Sequence, residues 1–198
     1  MDTTFLATNC FHSPLNNEVI AACQLFSCGD KDLDDFFHND ADNFNKQLMG
    51  KSFCFRLEKD PTVIVCAYTL ATSSIDARHL PRSRRDKLTK YVPHEKTLSS
   101  YPSALIGRLG VNVNFRGKGI GTELIENIIK PILENFSIGC RYITVDAYNN
   151  PFVLKFYETN GFKSLFSSEE QEKEHIGQSP DRELKTRMMF FDLIRLRL

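Results

Sequence analysis

One stretch constrains the fold more than any other: Leu109-Gly110-Val111-Asn112-Val113-Asn114-Phe115-Arg116-Gly117-Lys118-Gly119-Ile120-Gly121-Thr122. Ala104 to Val113 is an apolar run whose one charge is Arg108, and it reads as a central strand buried on both sides. Beyond the glycines, Ile120, Leu124, Ile125, Ile128, Ile129, Ile132 and Leu133 form one stripe, with Glu123, Glu126, Asn127 and Lys130 opposite, the pattern of an amphipathic helix. Pro131 lacks an amide hydrogen and is expected to kink or divide that helix. A strand that empties through a glycine turn into a helix belongs to a mixed α and β protein, and it leaves unpaired helix amides at the turn. Such amides, with the positive end of the helix dipole, hold anions. Gly117, Gly119 and Gly121 keep side chains away from them, Arg116 and Lys118 add charge, and the Thr122 hydroxyl can donate one more hydrogen bond. The G-x-G-x-G spacing, with no G-K-[ST] ending, fits neither a dinucleotide turn nor a nucleotide triphosphatase loop. A plain tight turn with basic groups in solvent is the competing reading; the combination of glycines, cations and threonine favours a phosphate cradle.

The remaining pattern fills in a mixed sheet. Residues 1–16 are uneven and expected to be a partly mobile N-terminal extension, and Val19 to Phe26 is an apolar run that suits a strand or a helical turn. From Asp30, a candidate N-cap behind Gly29, the spacing of Leu33, Phe36, Phe37, Ala41, Phe44 and Leu48 predicts helix as far as Gly50. Ser52 to Leu57 and Val63 to Leu70 predict strands around an Asp60-Pro61 turn. Asp76 to Ser103 reads as a helix-plus-loop excursion. Tyr142 to Ala147 predicts a strand, Pro151 to Thr159 a short helix, Phe162 to Phe166 a strand, 167–183 an exposed loop and Thr186 to Leu193 a closing strand. At 198 residues, one domain over 1–198 is expected.

Several function classes drop out. With 25 basic and 25 acidic side chains, the chain has no whole-molecule attraction for nucleic acid, although a local patch can supply one. No apolar run has the length of a membrane helix, and Met1-Asp2-Thr3-Thr4 lacks a basic secretory start, so a cytoplasmic address without membrane partners is expected. Cys10, Cys23, Cys28, Cys54, Cys66 and Cys140 are scattered without metal-ligand spacing, so reduced thiols and no metal are expected.

The stretch Arg116-x-x-Gly119-x-Gly121 resembles the pyrophosphate motif of the GNAT superfamily of N-acetyltransferases. Downstream, Asn150-Pro151 followed by Phe156-Tyr157-Glu158-Thr159-Asn160-Gly161-Phe162 resembles that superfamily's N…FYxxxGF segment. The resemblance spans roughly residues 15 to 193 and implies a single α/β (α+β) domain whose mixed central sheet has a splayed strand pair and helices on both faces. It further implies acetyl-CoA as co-substrate. Its pantetheine arm would pair with the backbone of Leu109, Val111 and Val113, and its diphosphate would sit over Arg116, Gly117, Lys118, Gly119, Ile120, Gly121 and Thr122. Asn150 would cap the short helix beside it, with Pro151 at the first helical position. Tyr157 is then the candidate general acid, protonating the departing CoA thiolate; the alternative is an aromatic packing against Phe156 and Phe162. Direct acetyl transfer to a primary amine is the activity implied, with a non-catalytic acyl-CoA-binding regulatory module as the alternative of another class.

The acceptor is harder to read. No carboxylate lies in Ala104 to Val113; Asp146 is a candidate base, and His79 and His94 fall in the excursion. A lysine amine, with a pKa of about 10.4, needs help losing its proton, whereas an α-amine near about 8 does not, so a missing base leans toward an α-amine. The segments Phe26-Ser27-Cys28-Gly29-Asp30-Lys31-Asp32-Leu33-Asp34-Asp35-Phe36, Tyr68 to Ile75 and Ile106 to Val111 are similar to a toxin-like branch of the superfamily. That similarity implies an alternative acceptor, the α-amine of aminoacyl-tRNA, a small antitoxin protein as partner, and a homodimer as one assembly. Arg78, Arg82, Arg84, Arg85, Lys87 and Lys90, with Arg108, suit RNA phosphates or a solvated surface equally.

Overall fold

A computed structural model describes residues 4–92, 98–135 and 139–197. Helix α1 (Phe5–Asn9), strand β1 (Cys10–Pro14) and helix α2 (Asn17–Ala22) open the chain. The first sixteen residues are therefore not a loose extension: Leu6 is 0% exposed and Leu15 2%, and β1 pairs along its length with β2 (Lys51–Leu57), Cys10 facing Leu57 and Pro14 facing Phe53. The apolar run after Asn17 resolves as helix up to Ala22.

Helix α3 (Lys31–Asp35) starts where the sequence placed its cap. Asp30 Oδ1 accepts from the amides of Asp32 and Leu33 at 3.1 and 3.0 Å. A π-helical turn over Phe36–Asp40 joins it to α4 (Ala41–Lys46). The wider turn lets two consecutive phenylalanines both reach the core, Phe36 and Phe37 being 5% and 1% exposed with their rings edge to face at 5.7 Å. They pack with Leu15, Phe26, Cys28, Ala41, Cys54, Ile64 and Ala67. The chain leaves α4 through Leu48, which adopts a left-handed φ of 58°.

Strand β3 (Ile64–Asp76), α5 (Arg82–Thr89) and β4 (Ser100–Val111) follow, both strands longer than their apolar runs. Helix α6 (Ile120–Asn135) continues through Pro131 without dividing, and the buried stripe is the one read from the sequence: Ile120, Leu124, Ile125, Ile128, Ile129 and Ile132. Then come β5 (Tyr142–Tyr148), α7 (Pro151–Thr159) and β6, a strand of only two residues (Lys163–Ser164). The segment expected to be an exposed loop instead carries α8 (Glu169–His175), capped by Ser168 and ended at Ile176, before β7 (Thr186–Asp192). Its Glu172 is 4% exposed: one oxygen accepts from Arg187 Nε at 2.7 Å and the other from the Met188 amide at 2.6 Å.

The seven strands form one sheet in the order β1-β2-β3-β4-β5-β7-β6, a mixed α/β architecture. The chain sorts into two compact units, one of Met1–Ala71 with Ile106–Pro131, the other of Thr72–Leu105 with Ile132–Leu198. The second has its own core of Ile75, Leu80, Leu88, Tyr101, Tyr142, Phe166 and Phe190, in which the Tyr142 hydroxyl donates to the Leu88 carbonyl at 2.5 Å. Among the described residues all six cysteines are unpaired thiols, no trio of potential ligands surrounds a metal position, and no helix is long and apolar enough to cross a membrane.

Candidate active site

The glycine turn lies in the first unit. Strand β4 ends at Val111, and Asn112 pins its exit: the amide donates to the Val65 carbonyl at 2.9 Å and the side chain donates to the Ile64 carbonyl at 2.9 Å. The Asn112 side-chain oxygen accepts from the Asn114 amide at 3.0 Å and starts a single 3-10 turn, Val113–Phe115. Val113 is thus beyond the strand, and its amide donates to the Ser27 carbonyl at 2.9 Å. Gly117 and Gly119 follow with φ of +72° and +78°, values that only glycine adopts freely. A Cβ built on either would meet no atom within 4 Å, so the space in front of the turn is open. The Gly119 carbonyl accepts from the amides of Thr122 and Glu123 at 3.0 and 3.2 Å, closing the first turn of α6 and orienting the helix start. Ile120, 1% exposed, anchors that start in the core.

The two cations flanking the turn are not loose. Lys118 Nζ donates to the Asn114 carbonyl at 3.4 Å and lies 5.4 Å from the centre of the Phe115 ring. Arg116 donates from Nη2 to the Cys28 carbonyl. An anionic group fits this cradle: open glycines, a helix start and two positive side chains within one short segment.

The second unit carries the other motif. Asn150 caps α7, its side-chain oxygen accepting from the Phe152 amide at 2.9 Å, and Pro151 takes the first helical position. Tyr157 is 8% exposed and its ring meets Phe156 and Phe162 edge to face at 5.1 and 5.3 Å. Burial alone raises its phenol well above the usual tyrosine range, so the hydroxyl keeps its proton. Asp146 stands on β5 opposite Met188, and desolvation raises its carboxyl above the ordinary range. His94 lies outside the described residues. Within the basic excursion, Arg78 is tied to Asp76 at 2.7 Å and Arg85 donates to the Arg78 carbonyl at 3.2 Å. Arg108 belongs to the first unit, where it lies 4.9 Å from the centre of the Phe36 ring.

A family model for the acetyltransferase (GNAT) family matches residues 18–162, which hold both the glycine turn and the Asn150 to Phe162 segment. The chain belongs to the GNAT acetyltransferase family. It is an acyltransferase, and acetyl-CoA is the co-substrate of its family. Solved structures with the same fold include "AtaT complexed with acetyl-methionyl-tRNAfMet", at 19% identity and a TM-score of 0.71 over 96% of this chain and 98% of that one. A tyrosine-to-phenylalanine mutant of KacT matches at 16% identity and a TM-score of 0.73, again over 96% and 98%. "AtaTR bound with AcCoA" matches at 18% identity and a TM-score of 0.69, over 96% of each chain.

Two residues that the sequence did not single out border the glycine turn: Asn112, which holds the end of β4, and Ser27, whose carbonyl accepts from the Val113 amide. Ser27 stands inside the segment similar to the toxin-like branch, but its contact with Val113 is visible only in space. Asn112 reads as one polar residue at a strand end.

Proposed function

We propose that this chain transfers an acetyl group from acetyl-CoA to the α-amine of an aminoacyl-tRNA. The observation that carries the reading is the open, positively flanked glycine turn in a GNAT chain; the buried, protonated Tyr157 of the Asn150 to Phe162 segment is the proton donor the reading calls on. The amides around Gly117 to Gly121 would hold the diphosphate, flanked by Arg116 and Lys118, with Thr122 donating its hydroxyl. The backbone of Leu109 and Val111 would receive the pantetheine arm; Val113 spends its amide on Ser27 and acts by placing the turn. Asn150 would fix the start of α7. When bound, acetyl-CoA would supply the acetyl group as a thioester, with the coenzyme A thiolate as the leaving group. The Tyr157 hydroxyl holds the proton for that sulfur, and its raised pKa keeps the proton in place at neutral pH.

Support for the acceptor comes from chemistry and from likeness. Strand β4 has no carboxylate to deprotonate a lysine, and an α-amine needs the least help. The basic side chains Arg82, Arg84, Arg85, Lys87 and Lys90 of α5 and its flank give RNA phosphates a counter-charge. AtaT is the protein whose complex with acetyl-methionyl-tRNAfMet shares this fold, and a related structure holds the AtaT mutant toxin with the C-terminus of the antitoxin AtaR. A small antitoxin partner and a cytoplasmic site of action accord with that likeness. Mass spectrometry after incubation with acetyl-CoA and charged tRNA, free amino acids or peptides tests the reading. Acetylated aminoacyl-tRNA with unmodified amino acids and peptides is expected; acetylation of free amines alone would move the acceptor class and overturn it.

A further inference from the structure

The Arg116 guanidinium, the most conspicuous charge at the glycine turn, is tied to a distant stretch of the chain although the residue is exposed. Its Nη2 donates to the Cys28 carbonyl, and three residues earlier the Val113 amide donates to the Ser27 carbonyl at 2.9 Å. Both acceptors lie on one tight turn, Ser27–Gly29. Gly29 has a φ of +74°, and a Cβ there would stand 3.2 Å from both Arg116 Nη2 and Val113 Cγ1. Strand β4 presses on the same turn, since a Cβ at Gly110 would lie 3.0 Å from Cys28 Cβ and 3.1 Å from its sulfur. The chain leading into the cradle is therefore seated on Ser27–Gly29.

That turn is in turn held by one carboxylate. Asp34 on α3 accepts from the Ser27 hydroxyl at 2.7 Å and from the Cys28 amide at 2.7 Å, one bond to each oxygen, while the Gly29 amide donates to the Ser27 oxygen at 3.1 Å. Burial works against the Asp34 charge, but the bonds from Ser27 and Cys28 outweigh it and hold the carboxyl below its ordinary range. Cys28 itself is 2% exposed, with its thiol pushed up to about 11, so it packs and does not react.

We infer that Asp34 is a positioning residue for acetyl-CoA binding: it fixes the Ser27–Gly29 turn, and the turn fixes Val113 and Arg116, which sets the glycine cradle. Arg116 thereby acts first as a latch between the cradle and the turn, and as a charge for the diphosphate only second. The inference rests on the reading of Gly117 to Thr122 as the diphosphate site.

Calorimetry with acetyl-CoA tests it. Asp34→Asn keeps the volume but gives up one of two charge-assisted acceptors, and the Kd for acetyl-CoA is expected to rise about tenfold, with KM following it and kcat within about twofold. Ser27→Ala, a milder change, should raise Kd in the same direction while the protein stays folded. Because Asp34 acts through the turn on Arg116, the double variant of Asp34→Asn with Arg116→Met should bind about as weakly as the weaker single variant. Asp192→Asn, which breaks an ion pair to Arg141 in the other unit, is the control for lost stability and should leave Kd unchanged. Multiplying effects in the double variant, or an unchanged Kd for Asp34→Asn and Ser27→Ala, overturns the latch. If those two leave Kd unchanged while Gly119→Val abolishes binding, the latch falls and the cradle stands. If Gly119→Val binds normally, the cradle reading falls and takes this inference with it.

Discussion

Replacing Gly119 by alanine separates backbone strain from ligand contact, because the structure assigns each a different size. Gly119 has a φ of +78°, where a side chain costs about 1–2 kcal/mol. For a chain of this length each kcal/mol lowers Tm by about 2–4 °C, so strain alone predicts a fall of roughly 2–8 °C. The added methyl would meet nothing of the protein within 4 Å, so no clash adds to that figure. The same strain is present with and without ligand and leaves affinity alone. A diphosphate resting on the turn would be displaced, however, and losing one charge-assisted bond of about 1.5–3 kcal/mol raises the Kd for acetyl-CoA roughly ten- to a hundredfold. Gly177→Ala supplies the comparison: its φ is +68° and its Cβ also meets nothing, but it lies after α8. Differential scanning fluorimetry should show similar Tm losses for the two variants, and titration calorimetry should show weakened binding for Gly119→Ala alone. Equal affinities would refute the claim that the open face of the turn is where the diphosphate rests.

Tyr157→Phe should lower kcat by about a hundredfold or more with the acetyl-CoA Kd unchanged, since the ring packing survives and the proton donor goes; unchanged turnover in a stopped assay removes Tyr157 from the chemistry. Because burial raises its pKa, the wild-type kcat should show no loss assignable to this group below about pH 10, and the rate should fall only above it. The sign for stability follows the same shift: Tyr157, Tyr68 and Tyr142 all titrate higher when folded, so their contribution is complete below the unfolded value of 10.0 and is lost as pH rises past it, which alkaline unfolding monitored by circular dichroism will register. Glu172→Ala should cost about 3–5 kcal/mol, because it strands the largely covered Arg187 guanidinium and the Met188 amide together; a Tm loss below about 6 °C would contradict that. Leu48→Gly should raise Tm by about 2 °C, as the left-handed φ of 58° suits glycine and the leucine side chain is 88% exposed.

Much of the architecture could be read before any coordinates. The stripe from Ile120 to Ile132 shows because every fourth or third position is apolar, and Asp30 and Asn150 show because capping depends on residues next to each other. What escaped reading shares a cause. Strand β1 is polar and ends in Pro14, a legitimate edge composition with little alternation to detect. Helix α8 buries chiefly an acid, Glu172, whose partner stands fifteen positions on at Arg187, so its segment looks like a solvated loop. At the site, the glycine turn was legible as local chemistry, but the destination of the Arg116 side chain was not, since Cys28 lies 88 residues earlier.

The contact between the chain start and α6 has a practical side. Glu123, in the first turn of α6, accepts from the Leu6 amide at 2.8 Å, and the Phe5 ring leans on Phe115 at 5.9 Å. On the proposed reading of the glycine turn as a diphosphate site, a freely swinging carboxylate beside it would repel phosphate, and the Leu6 amide of α1 holds Glu123 in one place. On that same reading, disrupting α1 is expected to set that acid loose and to weaken acetyl-CoA binding at a distance from the proposed cradle residues.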